Sequence, residues 1–533
     1  MRAPNDRSPE SDRLSATARL VAVTALAASS ISCSLALSFE QCASDEDCER
    51  LSEGLICSPE NVCVEPDGNG EGGEGCSHAA CAADDPNTVC GAAGACVMAA
   101  SPECTVLDLP QNRDNLILFG SIQPTSGDAS SAGIPQENAV RLAVQEFNES
   151  GLLGDVRFGV IGCDSAGDTE RGVAAATHLS STIGVPAIVG PAFSGIFIEV
   201  ATTVTVPDGV LTISGSATSE TITTIPDDDL AWRTIASDSF QSVAIADRVR
   251  DLRTAAGGTL KVAAFGKDDA YGKGLLFAVG AALEEELGQD NYFGVVHPDT
   301  ANDPNASVGD TVAEALQNNF DDADVVLLLG TSEITDVLSS YEDILDAEGS
   351  TVEPLYIMSD GGKIDETLAL VSADMSLADR IEGTIPSLEN GAIFTGFRQR
   401  YAGEFGEDPG AFASNAYDAA YLVSYAMYTM RRAEQTISGA SISDFMARLV
   451  EGQEIQAGPS NLSAALTALG AGASIDYEGA SGLLAFDLST GEAPSNVDRY
   501  VIDVRAADDI RFADQGQYQV SADGTGEWVD IEE

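Results

Sequence analysis

Short apolar runs alternate with amphipathic helical segments from about residue 115 onward, and this alternation limits the fold more than any other feature. Runs such as 116–119 and 325–329 have the length and composition of buried strands, whereas the apolar residues of 133–151 recur with helical spacing. Strands and helices that alternate in this way form parallel sheets with helices on both faces. We therefore predict an α/β fold with doubly wound parallel sheets.

The length and charge of the chain restrict its organisation and its partners. A chain of 533 residues is too long for one core and suggests roughly two to four structural units. The formal charge of −59 would repel a phosphate backbone, so nucleic acid is not an expected partner. It would also repel anionic lipid, so any membrane attachment needs something other than a basic patch. The acidity by itself also fits a surface that only keeps the protein soluble.

The N-terminal segment has the pattern of a secretory signal. Four arginines precede an apolar stretch, 20–28, which is too short to span a bilayer. The stretch ends in Ser-Ile-Ser-Cys33, which resembles a bacterial lipobox. We predict that residues 1–33 are a signal peptide, that Cys33 carries a lipid, and that the protein is exported to the periplasm or cell envelope. Simple cleavage and release is the alternative.

The cysteines form two copies of one spacing pattern. Cys42, Cys48, Cys57 and Cys63 are separated by 6, 9 and 6 residues, and the four cysteines of 76–96 by 5, 9 and 6. Repeats with so few large apolar residues need a covalent staple, so we predict two disulfides within each copy, 42–63 and 76–96. Four cysteines allow three pairings, and the sequence leaves the choice open. With no C-x₂-C and only three scattered histidines, a metal cluster is the weaker alternative, and we expect no metal site.

The cysteines outside the repeats complete the count. Of 11 cysteines, Cys33 is assigned to the lipid and eight to the repeats, which leaves Cys104 and Cys163 as a pair. A Gly-rich acidic stretch, 66–75, separates the repeats and reads as a flexible linker. We therefore expect residues 34–110 to form a cysteine-rich stalk in front of the main body.

Four of the predicted strands end in loops rich in glycine and small hydroxyl residues. In open α/β sheets, ligands bind at the carboxyl ends of the strands. Exposed backbone N–H groups and helix N-termini in such loops suit a carboxylate. Each loop taken alone also fits an ordinary turn or helix cap. The four loops are 121–127, 191–195, 214–218 and 359–362.

Five sequence motifs, in order along the chain, give a family resemblance. They are LFGSIQPTSG at 118–127, AWRTIASD at 231–238, DDAYGKG at 268–274, NAYDAAY at 415–421 and FDLSTG at 486–491. Together they resemble the type 1 periplasmic binding proteins of the leucine/isoleucine/valine-binding kind, which are ABC-transporter substrate-binding proteins. The resemblance covers about residues 115–504.

The resemblance implies two doubly wound lobes joined by a three-strand hinge. Lobe 1 would comprise 114–236 and 386–480, and lobe 2 would comprise 237–385 and 481–504. The stalk lies outside the family pattern, and so does an acidic C-terminal tail, 505–533. The hinge implies that the lobes close on the ligand.

The resemblance also implies which residues of lobe 1 hold a ligand carboxylate. Amino-acid-binding members use a serine after the third strand, which Ser194 matches here. They also use a triplet after the fourth strand, which Ser216, Ala217 and Thr218 match.

For lobe 2 the resemblance implies an aromatic residue over the ligand and an acid that holds its ammonium group. Tyr271 and Asp360 match these positions. In the first loop the family often has bulky residues, but Gln123 and Thr125 stand there, so the sequence leaves the identity of the ligand side chain open.

The function that fits these sequence features best is that of an extracytoplasmic solute-binding protein. It would capture a small carboxylate-bearing ligand, such as an amino acid, and deliver it to an ABC permease. A ligand-sensing receptor of the same fold is the alternative. An enzyme is disfavoured, because the chain has no G-x-S-x-G and no histidine beside the four loops, and the acidic runs 227–229 and 268–269 fit solvated surface better than paired catalytic carboxylates. No cofactor is expected.

The lipid anchor can be tested by fractionation. Cys33→Ser removes the thiol that would be acylated, so the variant should move from the membrane fraction to the soluble fraction. Wild-type protein that is already soluble and begins at a residue other than Cys33 would contradict the anchor.

Overall fold

The computed structural model describes residues 56–57, 63–64 and 75–530, with gaps at 128, 289, 300–306, 388–390, 507–508 and 521–525. It divides into two compact units, 1–74 and 75–533. In the first unit, β1 (Ile56–Cys57) and β2 (Cys63–Val64) pair antiparallel. Cys33 and the side chains of the first cysteine repeat lie outside the described residues.

The second unit contains two large sheets, which define two lobes. The lobe 1 sheet has the order β10-β9-β8-β6-β7-β5, and only β5 runs antiparallel to its neighbour. Its strands are β5 (Cys104–Asp108), β6 (Asn115–Gln123), β7 (Val156–Asp164), β8 (Ala187–Val189), β9 (Leu211–Ser214) and β10 (Ala231–Arg233). The parallel strands are apolar and buried on both faces, as a sheet covered by helices on both sides requires.

The lobe 2 sheet has the order β12-β11-β13-β14-β15-β19-β20-β21. The first five strands in this order are parallel and the last three are antiparallel. They are β11 (Val262–Lys267), β12 (Tyr292–His297), β13 (Val325–Leu329), β14 (Leu355–Met358), β15 (Ile381–Pro386), β19 (Val497–Ala506), β20 (Asp509–Val520) and β21 (Gly526–Asp530). The two sheets confirm the predicted class of doubly wound parallel sheets.

Helices cover both sheets. The chain leaves the lobe 1 sheet after Arg233, leaves the lobe 2 sheet after Pro386 for helices that pack on lobe 1, and returns to the lobe 2 sheet at Val497. A third sheet, β16-β17-β18, lies in the C-terminal half of the chain; its strands are β16 (Gln453–Gln456), β17 (Ile475–Gly479) and β18 (Gly482–Leu483). The helices after residue 100 are α2 (Ser130–Glu149), α3 (Thr169–Thr177), α4 (Ser194–Val200), α5 (Asp238–Ala255), α6 (Ala270–Leu287), α7 (Val308–Ala315), α8 (Ile334–Glu348), α9 (Asp365–Ala373), α10 (Ala392–Phe405), α11 (Ala413–Arg432), α12 (Gly439–Met446) and α13 (Leu462–Gly470). Shorter helical turns follow several of them, at 178–183, 201–205, 220–224, 316–320, 360–362 and 375–380.

The second cysteine repeat folds around one short helix and a hairpin, α1 (His78–Asp84), β3 (Thr88–Cys90) and β4 (Cys96–Met98). Two disulfides, Cys76–Cys90 and Cys81–Cys96, hold it together, which confirms the disulfide framework for this copy and selects one of the three pairings.

This repeat differs from the expected stalk because it packs on lobe 1. The Arg113 guanidinium donates to Thr88 O at 2.9 Å, and Ala92 N donates to Thr182 O at 3.1 Å. Cys104–Asp108 forms the edge strand β5, and a disulfide joins Cys104 to Cys163 on β7. The backbone groups of β5 pair with β7, so residues 104–108 are part of the sheet and not of a separate segment.

The expected acidic tail is also part of the folded body. Asp509–Val520 pairs along its length with β19, and Gly526–Asp530 pairs with β20. Tyr518 is buried there and packs edge-on against Trp528. The acidic composition hid these strands, because charged and polar side chains are interleaved with the apolar ones and few residues are fully buried.

A buried carboxylate holds three helices of lobe 1 together. Glu146 on α2 accepts hydrogen bonds from Tyr417 on α11 at 2.6 Å, from Tyr421 on the same helix, and from Arg400 on α10 at 2.7 Å. These bonds compensate for the burial of its charge. At the other end of α2, Pro135 lies close to Gly410 in the loop between α10 and α11.

A second carboxylate on α2 is poorly compensated. Glu137 is buried, and only one of its oxygens has a partner, Ser121 Oγ at 2.6 Å. Burial raises the pKa of Glu137 to about 7, although the Ser121 hydrogen bond opposes the shift. The native state therefore holds this proton more tightly than the unfolded chain does, and the stabilisation is lost as the pH rises from about 4.5 to about 7.

Glu137→Gln should remove this pH dependence. The free energy of unfolding of the variant minus that of the wild type should increase by up to about 3 kcal/mol when the pH is raised from 4.5 to 7.5. Urea unfolding at both pH values measures this difference. Glu149→Gln, at the exposed end of the same helix, is the matched control and should show no such gain. An equal difference from wild type at both pH values would contradict the assignment.

Candidate functional site

A cleft of about 450 Å³ lies between the lobes, where strands of both sheets end. From lobe 1, Ser194 follows β8 and Ser216 follows β9; from lobe 2, Tyr271 follows β11 and Asp360 follows β14. The two lobes also touch outside the cleft lining, where Ser219 Oγ donates to the backbone carbonyl of Ala270 at 3.0 Å. Four of the six predicted ligand-binding residues therefore line one cavity, as the carboxyl ends of parallel strands should.

Lobe 1 offers two hydroxyl hydrogens to the cleft. Ser194 is 2% exposed, and its Oγ accepts a hydrogen bond from Ser219 N at 3.0 Å, which leaves its own hydrogen available. Ser216 Oγ is buried and has no partner among the described residues. Both are suited to donate to an anionic group.

The rest of the predicted triplet has a different role. The N–H groups of Ser216 and Ala217 donate to Ser214 Oγ at 3.3 and 3.1 Å, so these donors are already occupied. The side chains of Ala217 and Thr218 are buried and do not line the cleft. The triplet thus shapes the loop, and the prediction that Ala217 and Thr218 face the ligand does not match this geometry.

In lobe 2, Tyr271 and Asp360 interact with each other. The Tyr271 hydroxyl donates to Asp360 Oδ1, lies 2.8 Å from Ser359 Oγ and accepts from Gly361 N. Burial raises the pKa of Asp360, and the hydrogen bond from Tyr271 opposes that shift. The protein offsets only part of the cost of burying the Asp360 charge. A cationic group of the ligand beside Asp360 would offset the rest.

Asp238 is a buried acid close to Asp360 that the sequence analysis missed. It begins α5, directly after the first passage between the sheets, and is 2% exposed. Both of its carboxylate oxygens are buried, and the Thr218 side chain lies near enough to interact with them. Burial raises the pKa of Asp238 well above its ordinary value, and the nearby charge of Asp360 adds to the rise. In the sequence an acid in the first turn of a helix is an ordinary capping residue, so only its burial sets it apart.

Two phenylalanines of the cleft wall adopt left-handed backbone conformations. Phe193 has φ 69° directly before α4, and Phe412 has φ 65° directly before α11. For a bulky residue this conformation is rare and costs about 1–3 kcal/mol. The fold thus holds two aromatic rings at the cleft at some expense of stability, and no sequence signal predicts the backbone angle.

The two residues of the first loop do not line the cleft. Gln123 is buried at the end of β6, and Thr125 N donates to Asp164 at 2.9 Å. Lobe 1 lines the cleft instead with the start of α2 and with residues 407–412.

This architecture belongs to a recognised class of proteins. The family model described as "Periplasmic binding protein" matches residues 117–451, more than half of the chain. The chain therefore belongs to the periplasmic binding protein family, in its type 1, as the motifs predicted. The family consists of exported substrate-binding proteins. Among curated proteins, none matches the sequence.

Solved structures agree on the fold. A possible leucine/isoleucine/valine-binding protein from Rhodopirellula baltica is 18% identical, with TM-score 0.58, over 76% of this chain and 98% of that one. LivJ from Streptococcus pneumoniae, solved with isoleucine, is 20% identical, with TM-score 0.55, over 75% and 100%. A solute-binding protein from R. palustris, in complex with 4-hydroxybenzoate, is 16% identical, with TM-score 0.57, over 76% and 97%. None of the described helices is long and apolar enough to cross a membrane.

The coupling of Tyr271 to Asp360 can be measured without a ligand. Tyr271→Phe removes a hydrogen bond that stabilises the carboxylate, so the pKa of Asp360 should rise further, as followed by carbonyl NMR titration with Asp360→Asn for assignment. Tyr292→Phe is the matched control, because the buried Tyr292 hydroxyl has no partner among the described residues. A pKa of Asp360 that falls or stays constant in Tyr271→Phe would show that the hydrogen bond does not stabilise the charge.

Proposed function

We propose that this protein captures a small α-amino acid, or a related compound with a carboxylate and an ammonium group, by closure of its two lobes. One observation carries the proposal: hydroxyl donors from lobe 1 and a buried acid from lobe 2 face the same cleft. Ser194 and Ser216 would hold the carboxylate, and Asp360, supported by Asp238, would hold the ammonium group. A cleft of about 450 Å³ has the size of ordinary small-molecule sites.

The charge of the cleft favours an amine-bearing ligand over a simple carboxylate. Isoleucine and 4-hydroxybenzoate occupy two of the similar proteins, and only the former carries an ammonium group. A benzoate would leave Asp360 buried without a cation and add a second negative charge beside it, which is costly in a desolvated site.

Closure follows from the division of the site between the lobes. A ligand that touches both lobes binds the closed form better than the open one, so it shifts the population toward closure. We further propose that the closed form delivers the ligand to an ABC permease, that Cys33 anchors the protein to a membrane by a lipid, and that the protein has no catalytic activity. The absence of histidine and cysteine among the described residues that line the cleft supports binding rather than catalysis.

A ligand-sensing receptor of the same fold remains the alternative function. The observation that favours it is the disulfide-bonded repeat on lobe 1, which lies before the residues that the family model matches and adds a surface for other proteins. A permease and ATPase that copurify with the ligand-loaded protein would support transport, whereas copurification with a signalling protein would support sensing.

Calorimetric titration tests the site once thermal-shift screening of an amino-acid and small-acid panel has found a ligand. Ser216→Ala removes one hydrogen bond to an ionised group and should weaken binding about tenfold or more. Asp360→Asn should weaken the amino acid strongly and affect its deaminated analogue little. Thr177→Ala is the control for lobe 1, because the exposed Thr177 hydroxyl lies on α3 outside the cleft, and it should bind nearly as well as the wild type.

Two results would contradict the proposal. The first is a ligand without a carboxylate, such as a neutral sugar. The second is an affinity for amino acids that neither Ser216→Ala nor Asp360→Asn changes.

A further inference from the structure

One part of the cleft is formed by the start of α2, the loop before α11 and the start of α9. We call it the end pocket and define it by Ser131, Gln136, Asp365, Glu407 and Phe412. Its walls touch each other: Ser131 Oγ lies 3.5 Å from Glu366 Oε1 across the lobes. Because carboxylate and ammonium would be held elsewhere in the cleft, the end pocket is where the side chain of the ligand would lie.

One buried side chain in this pocket has an unused acceptor. Gln136 is 1% exposed, and its Nε2 donates to Ala132 O at 3.0 Å. Its Oε1 has no partner among the described residues. The bond to Ala132 orients the amide so that the oxygen is the free atom, and an unpaired buried acceptor is destabilising unless a ligand supplies a donor.

The helix backbone adds a second acceptor. Pro135 lies inside α2 and has no N–H, so the carbonyl of Ser131 lacks the donor that a helix normally provides four residues later. Ser131 lines the same pocket.

The charged side chains of the pocket are also acceptors. Asp365, Glu407 and Asp408 all line it, and among these three only Asp408 has a described salt bridge, to Arg398. Among the described residues that line the cleft, Lys363 is the single base, and its Nζ is engaged by Asp514 at 2.9 Å. The end pocket thus offers a negative field and no free cation, which disfavours an acidic ligand side chain.

Between these polar groups the walls are apolar. They are formed by Ile134, Pro135, Ile364 and Phe412, which suit a hydrocarbon chain.

We infer that the end pocket selects a side chain with an apolar stem and a positively charged hydrogen-bond donor at its tip, so that the ligand is a basic amino acid. The inference rests on the proposed function, because it needs the carboxylate and ammonium groups to be held by the rest of the cleft. The Gln136 oxygen would accept from the tip, and the acidic side chains would stabilise its charge.

Calorimetry with three probes tests the inference: L-lysine, L-norleucine, which keeps the four-carbon stem but lacks the terminal amine, and 6-hydroxynorleucine, which ends in a neutral donor. Wild type should bind lysine about tenfold or more tighter than norleucine, the effect of one hydrogen bond to an ionised group, and also tighter than the hydroxyl analogue. Gln136→Leu should reduce the preference for lysine over norleucine to less than about threefold. Gln136→Glu should increase it.

Gln145→Leu is the matched control, because Gln145 lies on the same helix outside the cleft, and it should keep the wild-type preference. Equal or tighter binding of norleucine, or a lysine preference that both Gln136 variants leave unchanged, would overturn the inference while the proposed function stands. Equal binding of lysine and the hydroxyl analogue would overturn the charge requirement and with it the basic ligand. If none of the three probes and no other α-amino acid binds, the proposed function itself fails.

Discussion

The parallel strands of the two sheets point their carboxyl ends at the same cleft, and the described chain passes between the lobes only three times. The rest of the protein depends on this arrangement. A parallel strand must be followed by a crossover, so every loop at that edge leads into a helix and presents its N-terminal turn. The loops after β8 and β9 and those after β11 and β14 therefore converge on one cleft. Three crossings give the lobes a hinge, because few bonds have to change when they approach each other.

Charge is distributed unequally across this cleft. Lobe 1 contributes hydroxyl hydrogens from Ser194 and Ser216, and lobe 2 contributes Asp360, with Asp238 buried nearby at the crossing. Each side leaves polar atoms unpaired or a carboxylate only partly compensated. A buried polar group that is left unpaired is costly, so a ligand that satisfies both sides is bound more strongly by the closed form than by either lobe alone. Binding and closure are thus the same event in energetic terms.

Segments outside the family pattern extend the two sheets at their edges. β5 pairs with β7 and is tied to it by the Cys104–Cys163 disulfide, while β20 and β21 continue the lobe 2 sheet beyond β19. An uncovered edge strand presents unpaired backbone groups, and these additions occupy the groups of β7 and β19. The disulfides suit an exported protein, because such bonds persist outside the cytoplasm.

The sequence by itself determined the parallel α/β class, the family, and the presence of disulfides in the second repeat. It also determined the loops that hold Ser194, Ser216, Tyr271 and Asp360. Hydrophobic periodicity and the residues at strand ends are local properties, so they can be identified from the sequence. The strands of 509–530 escaped it, since their exposed faces are charged and read as a solvated tail. Only the tertiary structure decided that Ser214 occupies the N–H groups of its own loop, that Asp238 is buried near Asp360, and that Gln136 keeps a free acceptor at the cleft. These roles depend on which polar atoms are shielded from water and on which partners lie within hydrogen-bond distance. Both of these depend on residues that are far apart in the chain.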